Sequence, residues 1–337
     1  MAARPRVKAS TLTDRLLAWY REGHRDLPWR RTADPYRVWI SEIMLQQTRA
    51  QTAIPYYERF LERFPTVEAL AAAGESDVLA AWSGLGYYER ARNLRRAAQR
   101  IAATGEFPRE YAAIRALPGV GDYTAAAVAS IAFGLPHAVL DGNVLRVVAR
   151  VENDPADIGS PRTRQRFRAV ADAWLDARSP GVFNQALMEL GATVCLPKNP
   201  LCLLCPVSSE CRAFADGTVE QLPVKLRRVE PLKIEDLLLV ARKQGRILLR
   251  QRDPDARRMA GFWELPTPEQ LPRARIGRRL GEFRHTITHH HYTFGVAEAS
   301  ASTARAPFRW FEPAELGNIP LSTTARKALK IAGIVKS

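Results

Sequence analysis

The spacing of apolar residues changes character once along the chain. Over residues 11–214 apolar positions recur at intervals of three and four, in Ala-rich runs separated by short Gly and Pro breaks, and this pattern predicts an all-α region. At 222–233 the periodicity stops in a proline-punctuated basic stretch, which indicates a linker. Further on, short β-type runs at 236–242, 245–252, 262–266 and 285–299 precede a predicted helix over 322–334.

The length of the chain agrees with two domains of unequal size. Its 337 residues exceed the usual length of a single domain. We place a helical domain at 11–221, the linker at 222–233 and an α+β domain at 234–337. No apolar run approaches the roughly 20 residues that a bilayer requires, and the first ten residues lack the apolar stretch of a secretion signal. A cytoplasmic protein without a membrane partner is therefore expected.

The charge of the chain narrows the choice of partner. A formal net charge of +15 favours a polyanion, because clustered cations gain affinity by releasing counterions from phosphates. Nucleic acid is the first candidate and a membrane surface the second. Most of the 50 basic residues are arginine, however, and a genome rich in G and C produces the same excess. Charge alone does not decide the function.

The four cysteines are confined to one short segment, residues 195–211, with the spacing C-x6-C-x2-C-x5-C. A cytosolic protein rarely gathers all its cysteines in this way without a metal. Four thiolates can bind a structural zinc or an iron–sulfur cluster. The residues by themselves leave both open, together with the alternative of ordinary core cysteines.

A glycine-rich turn precedes one of the predicted helices. The sequence LPGVG at 117–121 is followed by a helical run over 123–133, which Gly134 and Pro136 end. A Gly-x-Gly turn at the start of a helix presents backbone N–H groups to an anion. Any tight turn between helices has a similar appearance, so the motif is only moderately specific.

Two carboxylates have sequence surroundings that indicate chemistry. Glu42 follows a helix start at Asp34 and Pro35, and helical offsets place it on a face with apolar residues, including Trp39. A desolvated carboxyl has a raised pKa and can serve as a general acid, whereas a solvated surface glutamate is the simpler alternative. Asp141, in LDGNV at 140–144, has the simpler interpretation of a helix N-cap.

Several features together resemble the MutY-type DNA glycosylases of the endonuclease III superfamily: the cysteine spacing, LPGVG, LDGNV with Asp141 twenty residues after Gly121, and SEIMLQQT around Glu42. The resemblance implies a mostly α, helix-hairpin-helix glycosylase domain with a [4Fe-4S] loop. The cluster ligands would be Cys195, Cys202, Cys205 and Cys211. The hairpin Gly119, Val120 and Gly121 would grip DNA phosphate, often with a bound monovalent cation.

The resemblance also implies a reaction: flipping out and hydrolysing adenine mispaired with 8-oxoguanine or guanine in double-stranded DNA. Glu42 would protonate adenine at N7, and an ionised Asp141 would stabilise or trap the resulting sugar cation. The supporting residues implied are Asn143 and Tyr123 at the reacting sugar, Gln47 and Tyr87 as wedges in the base stack, and Arg30, Leu85 and Gln185 around the adenine.

The position of Tyr123 predicts the type of product. Bifunctional relatives carry a lysine just after the hairpin, which forms a Schiff base and nicks the strand. Tyr123 stands there instead, and no lysine occurs between Lys8 and Lys198. A monofunctional enzyme that leaves an uncut abasic site is expected.

The C-terminal region resembles a smaller α+β, Nudix-like domain through MAGFWELP at 259–266. A Nudix hydrolase needs a glutamate-rich helix for Mg²⁺ after this segment, and the residues that follow offer only Glu269 and Glu282, so pyrophosphatase activity is not expected. The segment 283–289 aligns with the lesion-reading tip of the family. Ile287 and Thr288 replace its Phe and Ser, whereas His289 is kept, and we expect Thr288 and His289 to recognise 8-oxoguanine.

Two alternatives remain. A mismatch thymine or uracil glycosylase of the same superfamily can also carry a tyrosine at the position of Tyr123, although such enzymes generally lack the C-terminal domain. The second alternative is a non-catalytic iron–sulfur protein that binds DNA. The joint presence of Glu42 and Asp141 argues against it. A monomer is the family expectation.

Overall fold

The computed structural model describes residues 11–226, 230, 232–253, 255–256, 259–287, 290–302 and 305–335. Within these ranges the helical region and the later sheet follow each other as the apolar pattern predicts. The helices of the first region are α1 (Leu12–Gly23), α2 (Pro35–Leu45), α3 (Ala50–Arg63), α4 (Val67–Ala72), α5 (Glu75–Trp82), α6 (Glu89–Thr104), α7 (Tyr111–Arg115), α8 (Asp122–Phe133), α9 (Gly142–Val151), α10 (Pro161–Trp174), α11 (Pro180–Thr193) and α12 (Arg212–Ala215).

The helix boundaries agree with the capping signals in the sequence. Asp34 caps α2 by accepting a hydrogen bond from the Arg37 backbone N–H at 2.8 Å, with Pro35 as the first helical residue. Gly134 ends α8 in the left-handed conformation, with a φ of 65°. Both features confirm the predictions made from local residue types.

The chain forms two compact units. The first consists of Met1–Tyr57 and Arg100–Arg228, and the second of Glu58–Gln99 and Val229–Ser337. In the first unit, α1, α8, α9, α10 and α11 bury a common apolar core. The second unit joins α4, α5 and α6 to the C-terminal elements, a grouping that the linear pattern does not anticipate. The boundaries predicted at 221 and 234 stay a prediction.

The C-terminal elements are a six-stranded sheet and one helix. The strands are β1 (Leu232–Lys243), β2 (Arg246–Gln251), β3 (Trp263–Glu264), β4 (Arg275–Ile287), β5 (His290–Ser300) and β6 (Phe308–Phe311). Their order is β3-β2-β1-β5-β4, and β6 also pairs with β2. β1 and β5 run parallel, whereas the other pairs are antiparallel. Helix α13 (Thr323–Ile331) packs its buried Ala325, Ala328 and Leu329 into the core of this sheet.

Three details of the C-terminal region differ from the sequence pattern. The run at 285–299 belongs to two antiparallel strands, whose ends pair Ile287 with His290. β4 begins at Arg275, and its first five residues are exposed, so no alternation marked it. β6 was not predicted. Helix α13 was predicted, but it is shorter than expected, and Ser322 is its N-cap.

Residues 265–274 form turns and irregular structure, so no glutamate-bearing helix of the kind a Nudix pyrophosphatase requires follows the 259–264 segment there. Among the described residues, no helix is both long and apolar enough to cross a membrane.

Candidate active site

Glu42 lies on α2 and is almost completely buried, with 4% of its surface exposed. Burial raises the pKa of its carboxyl to about 7, because the charged form is desolvated. The charge of Asp141 acts in the same direction, whereas the hydrogen bond from Tyr123 acts in the opposite one. A carboxyl with this pKa is partly protonated at neutral pH and can donate a proton to a bound base.

Tyr123 is in the first turn of α8 and contacts Glu42 directly. Its hydroxyl donates to Glu42 Oε2 at 2.6 Å, and it lies 3.2 Å from Met188 Sδ on α11. Burial raises the pKa of the Tyr123 hydroxyl well above its usual value, and the Glu42 charge adds to this effect. Tyr123 therefore stays a neutral hydrogen-bond donor that holds the Glu42 carboxyl in one orientation. Met188, a sulfur contact, has no recognisable signal in the sequence.

Asp141 is the N-cap of α9, as the simpler interpretation predicts. Its Oδ1 accepts from the Val144 backbone N–H at 2.7 Å, and its Oδ2 accepts from Asn143 Nδ2 at 2.9 Å. Burial raises the pKa of this carboxyl, and the hydrogen bonds from Val144 and Asn143, which favour the charged form, offset only part of that rise. Capping does not exclude catalysis, because the same N–H groups fix a carboxylate in place and stabilise its charge.

Asn143 also belongs to a hydrogen-bonded chain that sequence reasoning missed. Its Oδ1 accepts from Arg146 at 2.9 Å, and Arg146 donates to the carbonyl oxygens of Gly191 and Cys195, both at 2.7 Å. The close approach requires glycine at 191, since an added Cβ would lie 2.6 Å from Asn143 Cβ. Asp141 is thereby linked through two side chains to the backbone of the first cysteine.

Arg30 and Gln185 lie around Tyr20. The Arg30 guanidinium is 5.5 Å from the centre of the Tyr20 ring, and the Tyr20 hydroxyl donates to Gln185 Oε1 at 3.2 Å. Arg30 also pairs with the buried Glu189 at 2.7 Å, and Arg25 pairs with it at 2.6 Å.

Glu189 was not predicted, although its offset of four residues from Gln185 on α11 could have indicated it. Burial alone raises the pKa of its carboxyl, but the two arginines outweigh burial and lower the pKa to about 2. Arg25, Arg30 and the ionised Glu189 therefore form a charged group, and the charge of Arg30 also acts on Glu42, whose pKa it lowers. These groups can hydrogen-bond to a polar heterocycle.

Both predicted wedge residues are exposed and have the left-handed backbone conformation that non-glycine residues rarely adopt; exposed Asn199 and Gln244 share it. Gln47, which follows α2 in the first unit, has a φ of 58°. Tyr87, in the second unit, has a φ of 49° and is 46% exposed. Leu85, two residues before it, is buried. Strained and exposed side chains of this kind are typical of functional sites.

The predicted hairpin is the turn between α7 and α8. Gly119 has a φ of 75°, and Gly121 is the N-cap of α8 without any side-chain cap. Both glycines are exposed, whereas the side chain of Val120 is buried. The turn therefore offers glycine backbone, and not side chains, to an anion at the start of the helix.

The four cysteines line a single cavity. Arg150, only 1% exposed, donates to Cys195 Sγ at 3.3 Å. Burial raises the pKa of Cys205 to about 12 and also raises the pKa of Cys202 and Cys211. In the described residues, no group of three or more His, Cys, Asp or Glu side chains is arranged to hold a metal ion. The four cysteines nevertheless line one cavity together with the buried Arg150, and this set of thiols and a cation is chemically suited to an anionic cofactor.

The lesion-reading residues expected at Thr288 and His289 lie outside the described residues.

Comparison with known proteins gives two family matches. Residues 40–172 match the HhH-GPD superfamily base excision DNA repair protein family, and residues 237–330 match the NUDIX domain family. The human protein named adenine DNA glycosylase is 35% identical over 94% of this chain and 73% of its own length. The mouse protein of the same name is 36% identical over 94% of this chain and 76% of its own length.

Solved structures resemble the helical part. A thermostable thymine-DNA glycosylase has a TM-score of 0.54 at 30% identity, covering 60% of this chain and 95% of its own. Endonuclease III in a non-covalent complex with DNA has a TM-score of 0.52 at 22% identity, covering 61% of this chain and 94% of its own, and this likeness concerns the fold alone.

Proposed function

The chain belongs to the adenine DNA glycosylase family, and from this premise we propose that it removes adenine mispaired with 8-oxoguanine or guanine in double-stranded DNA. It is a base-excision repair enzyme with a helix-hairpin-helix glycosylase domain. The observation that carries the proposal is the buried Glu42, with a pKa of about 7 and a hydrogen bond from Tyr123. A carboxyl of this kind can protonate adenine, which is otherwise a poor leaving group.

The proposed reaction assigns one role to each carboxyl. Glu42 transfers its proton to adenine N7 while the bond between the base and the anomeric carbon breaks, and the bonding electron pair leaves with the base. The sugar carries the positive charge, which the ionised Asp141 stabilises. Water adds to the sugar and gives its proton to a carboxylate. The surroundings of Glu42 assist this division, because burial raises the pKa of its carboxyl and the charge of Asp141 adds to that effect.

The surrounding residues are proposed to hold the extruded base and the DNA. Arg30, Gln185 and Glu189 supply hydrogen-bonding groups for the adenine, and Leu85 supplies apolar contact. Gln47 and Tyr87 replace the base in the stack, since both are exposed and held in an uncommon backbone conformation. The glycines of the hairpin bind a DNA phosphate, with a monovalent cation as an added ligand of that turn.

We also propose that Cys195, Cys202, Cys205 and Cys211 hold a [4Fe-4S] cluster. The supporting observation is that their thiols share one cavity with the buried Arg150, whose charge stabilises an anionic group. Burial raises the pKa of three of the thiols, and metal binding requires that such thiols lose their protons. The bound cluster would serve as a structural anchor, and it takes no part in the hydrolysis proposed above.

The C-terminal region is proposed to read the base opposite adenine. It has a Nudix-type family match but no glutamate-bearing helix in the described turns at 265–274, which favours recognition over hydrolysis. Thr288 can still donate a hydrogen bond to 8-oxoguanine, whereas Ile287 cannot stack as an aromatic residue does. Thr288→Ala should bring the rates on A:8-oxoguanine and A:G closer together. An unchanged ratio of the two rates would assign the discrimination elsewhere.

A second candidate is thymine or uracil removal from mismatches with guanine, which the 30% identity to a thymine-DNA glycosylase favours. One assay separates the candidates: single-turnover base release from duplexes with A:8-oxoguanine, A:G, T:G and U:G pairs. Adenine release should exceed thymine and uracil release, and Glu42→Gln should abolish it. Faster release of thymine or uracil would contradict the proposal, and release from none of the duplexes would indicate a non-catalytic protein.

A further inference from the structure

The turn at residues 83–88, between α5 and α6, has an unusual backbone. Gly84 and Gly86 have φ angles of 110° and 72°, and Tyr87 follows with 49°. Three residues out of four are thus in conformations with positive φ, and one of them is not glycine. Such a segment keeps a single shape only where its surroundings hold it. The turn carries both Leu85 and Tyr87, the residues proposed above to contact the adenine and the base stack.

Side chains of α5 and α6 hold one side of the turn. Trp82 Nε1 donates to the Gly86 carbonyl oxygen at 3.2 Å, and Arg90 donates to the carbonyl oxygens of Leu85 and Gly86, both at 3.2 Å. The Arg90 guanidinium also lies 5.6 Å from the centre of the Tyr87 ring. These contacts fix the two carbonyl groups before Tyr87, but they leave both ends of the turn to other partners.

The ends of the turn are held by residues from the C-terminal region. Ser83 Oγ donates to the Leu321 carbonyl oxygen at 2.9 Å and accepts from Arg326 at 3.0 Å. The Tyr88 hydroxyl lies 3.2 Å from Thr323 Oγ1, and the Gly84 backbone N–H donates to the same hydroxyl at 3.4 Å. The Tyr88 ring packs against Phe262, with 4.1 Å between the ring centres.

The contacts between the ends of the turn and the C-terminal region are well buried, and their partners are held by further hydrogen bonds. Ser83 and Tyr88 are 8% and 6% exposed, and Phe262 is completely buried. The chain on either side of Leu321 is bonded to β3: the Trp263 backbone N–H donates to the Pro320 carbonyl oxygen at 2.8 Å, and Ser322 N–H donates to Trp263 at 2.9 Å. The partners of the turn therefore lie directly beside β3 and at the start of α13.

Arg326 has the most unusual environment of these partners. Its Nε is buried and has no hydrogen-bond partner among the described residues, while its other nitrogens include the donor to Ser83. Leaving a buried guanidinium N–H without a partner is costly, and an apolar residue would avoid that cost. The arginine is therefore better explained by the bond to Ser83 than by packing alone.

We propose that Arg326, Thr323 and Phe262 are positioning residues that hold the 83–88 turn in its extruding shape. The C-terminal region would then act on base extrusion through the presentation of Leu85 and Tyr87, in addition to any contact that its lesion-reading segment makes. This inference rests on the proposed function of the turn, but its structural part can be measured without catalysis.

The first experiment measures hydrogen–deuterium exchange of the backbone N–H groups at 83–88 in the full-length protein. Arg326→Ala should speed exchange there about tenfold, because it removes a charge-assisted hydrogen bond. Arg326→Lys should restore protection, since lysine can also donate to Ser83. Lys330→Ala, an exposed change on the same helix, is the matched control. Equal exchange in Arg326→Ala and wild type would overturn the proposal, whether or not the enzyme removes adenine.

The second experiment separates extrusion from chemistry by two duplexes, one with adenine opposite 8-oxoguanine and one with adenine opposite an abasic site, where extrusion is easier. Arg326→Ala should slow release about tenfold on the first duplex and much less on the second. Ser83→Ala should behave in the same way, and the double variant should be no slower than either. Equal slowing on both duplexes, or additive losses, would overturn the positioning role. No adenine release by the wild type would instead refute the proposed function.

Discussion

The hydrogen bond from Tyr123 to Glu42 gives a quantitative prediction about the pH dependence of the enzyme. Glu42 acts as an acid only while protonated, and its pKa is about 7, so the single-turnover rate should fall about tenfold per pH unit above this value. The bond from Tyr123 stabilises the charged carboxylate and lowers the pKa. Tyr123→Phe removes that bond, at 2.6 Å, without changing the shape of the ring. The pKa of Glu42 should then rise.

The size of the shift follows from the strength of the bond. A hydrogen bond to a charged group is worth about 1.5 to 3 kcal/mol, which corresponds to about one to two pKa units. The pH at which the single-turnover rate begins to fall, the alkaline limb of the pH–rate profile, should therefore move from about pH 7 to about pH 8–9. At pH 9 the wild type should retain about a hundredth of its plateau rate, and the variant about a tenth or more of its own plateau.

The assay is adenine release under single-turnover conditions from pH 6 to 10, with each protein normalised to its own plateau. Normalisation removes any loss that comes from misplacement of the Glu42 carboxyl. Tyr57→Phe, which removes another buried hydroxyl near Asp34 and Arg37, is the control and should leave the limb in place. A limb that stays where it is in Tyr123→Phe, or moves to lower pH, would refute the assignment of Glu42 as the acid.

Three further predictions concern the charge, the metal and the product. Asp141→Asn should reduce base removal by about a hundredfold or more while DNA binding and folding persist, because asparagine caps a helix equally well; a near-normal single-turnover rate would mean that the charge is unimportant. Protein purified anaerobically should contain about four irons and four sulfides per chain, and stoichiometric zinc would reject the cluster. Product DNA should stay unbroken until hot alkali treatment, whereas borohydride trapping of a lysine adduct would contradict the monofunctional reaction.

The elements that the sequence predicted well depend on local interactions. The start of α2 at Pro35 and the end of α8 at Gly134 follow from capping and backbone preferences within a few residues. The helical region and the later sheet follow from the spacing of apolar residues. β4 and β6 were missed because exposed charged positions or short length hide the alternation that marks a strand.

The sequence motifs identified some residues of the candidate site, but not how these residues are packed and paired in three dimensions. Glu42 and Asp141 were identified by the segments around them, but sequence could not decide whether Glu42 is buried. That depends on packing of α2 against α8, and Tyr123 is 81 residues away from it in the chain. Glu189 was missed because its two arginine partners come from distant parts of the sequence.

The sequence by itself determined that a helical region precedes a sheet, where α2 begins and α8 ends, and that the four cysteines lie in one segment, since each of these depends on neighbouring residues. Only the tertiary structure decided the pKa of Glu42, the role of Glu189 and the contact of Ser83 with Arg326, which are 243 residues apart. Burial and long-range hydrogen bonds exist only after the chain has folded, because they are made by side chains that packing brings together.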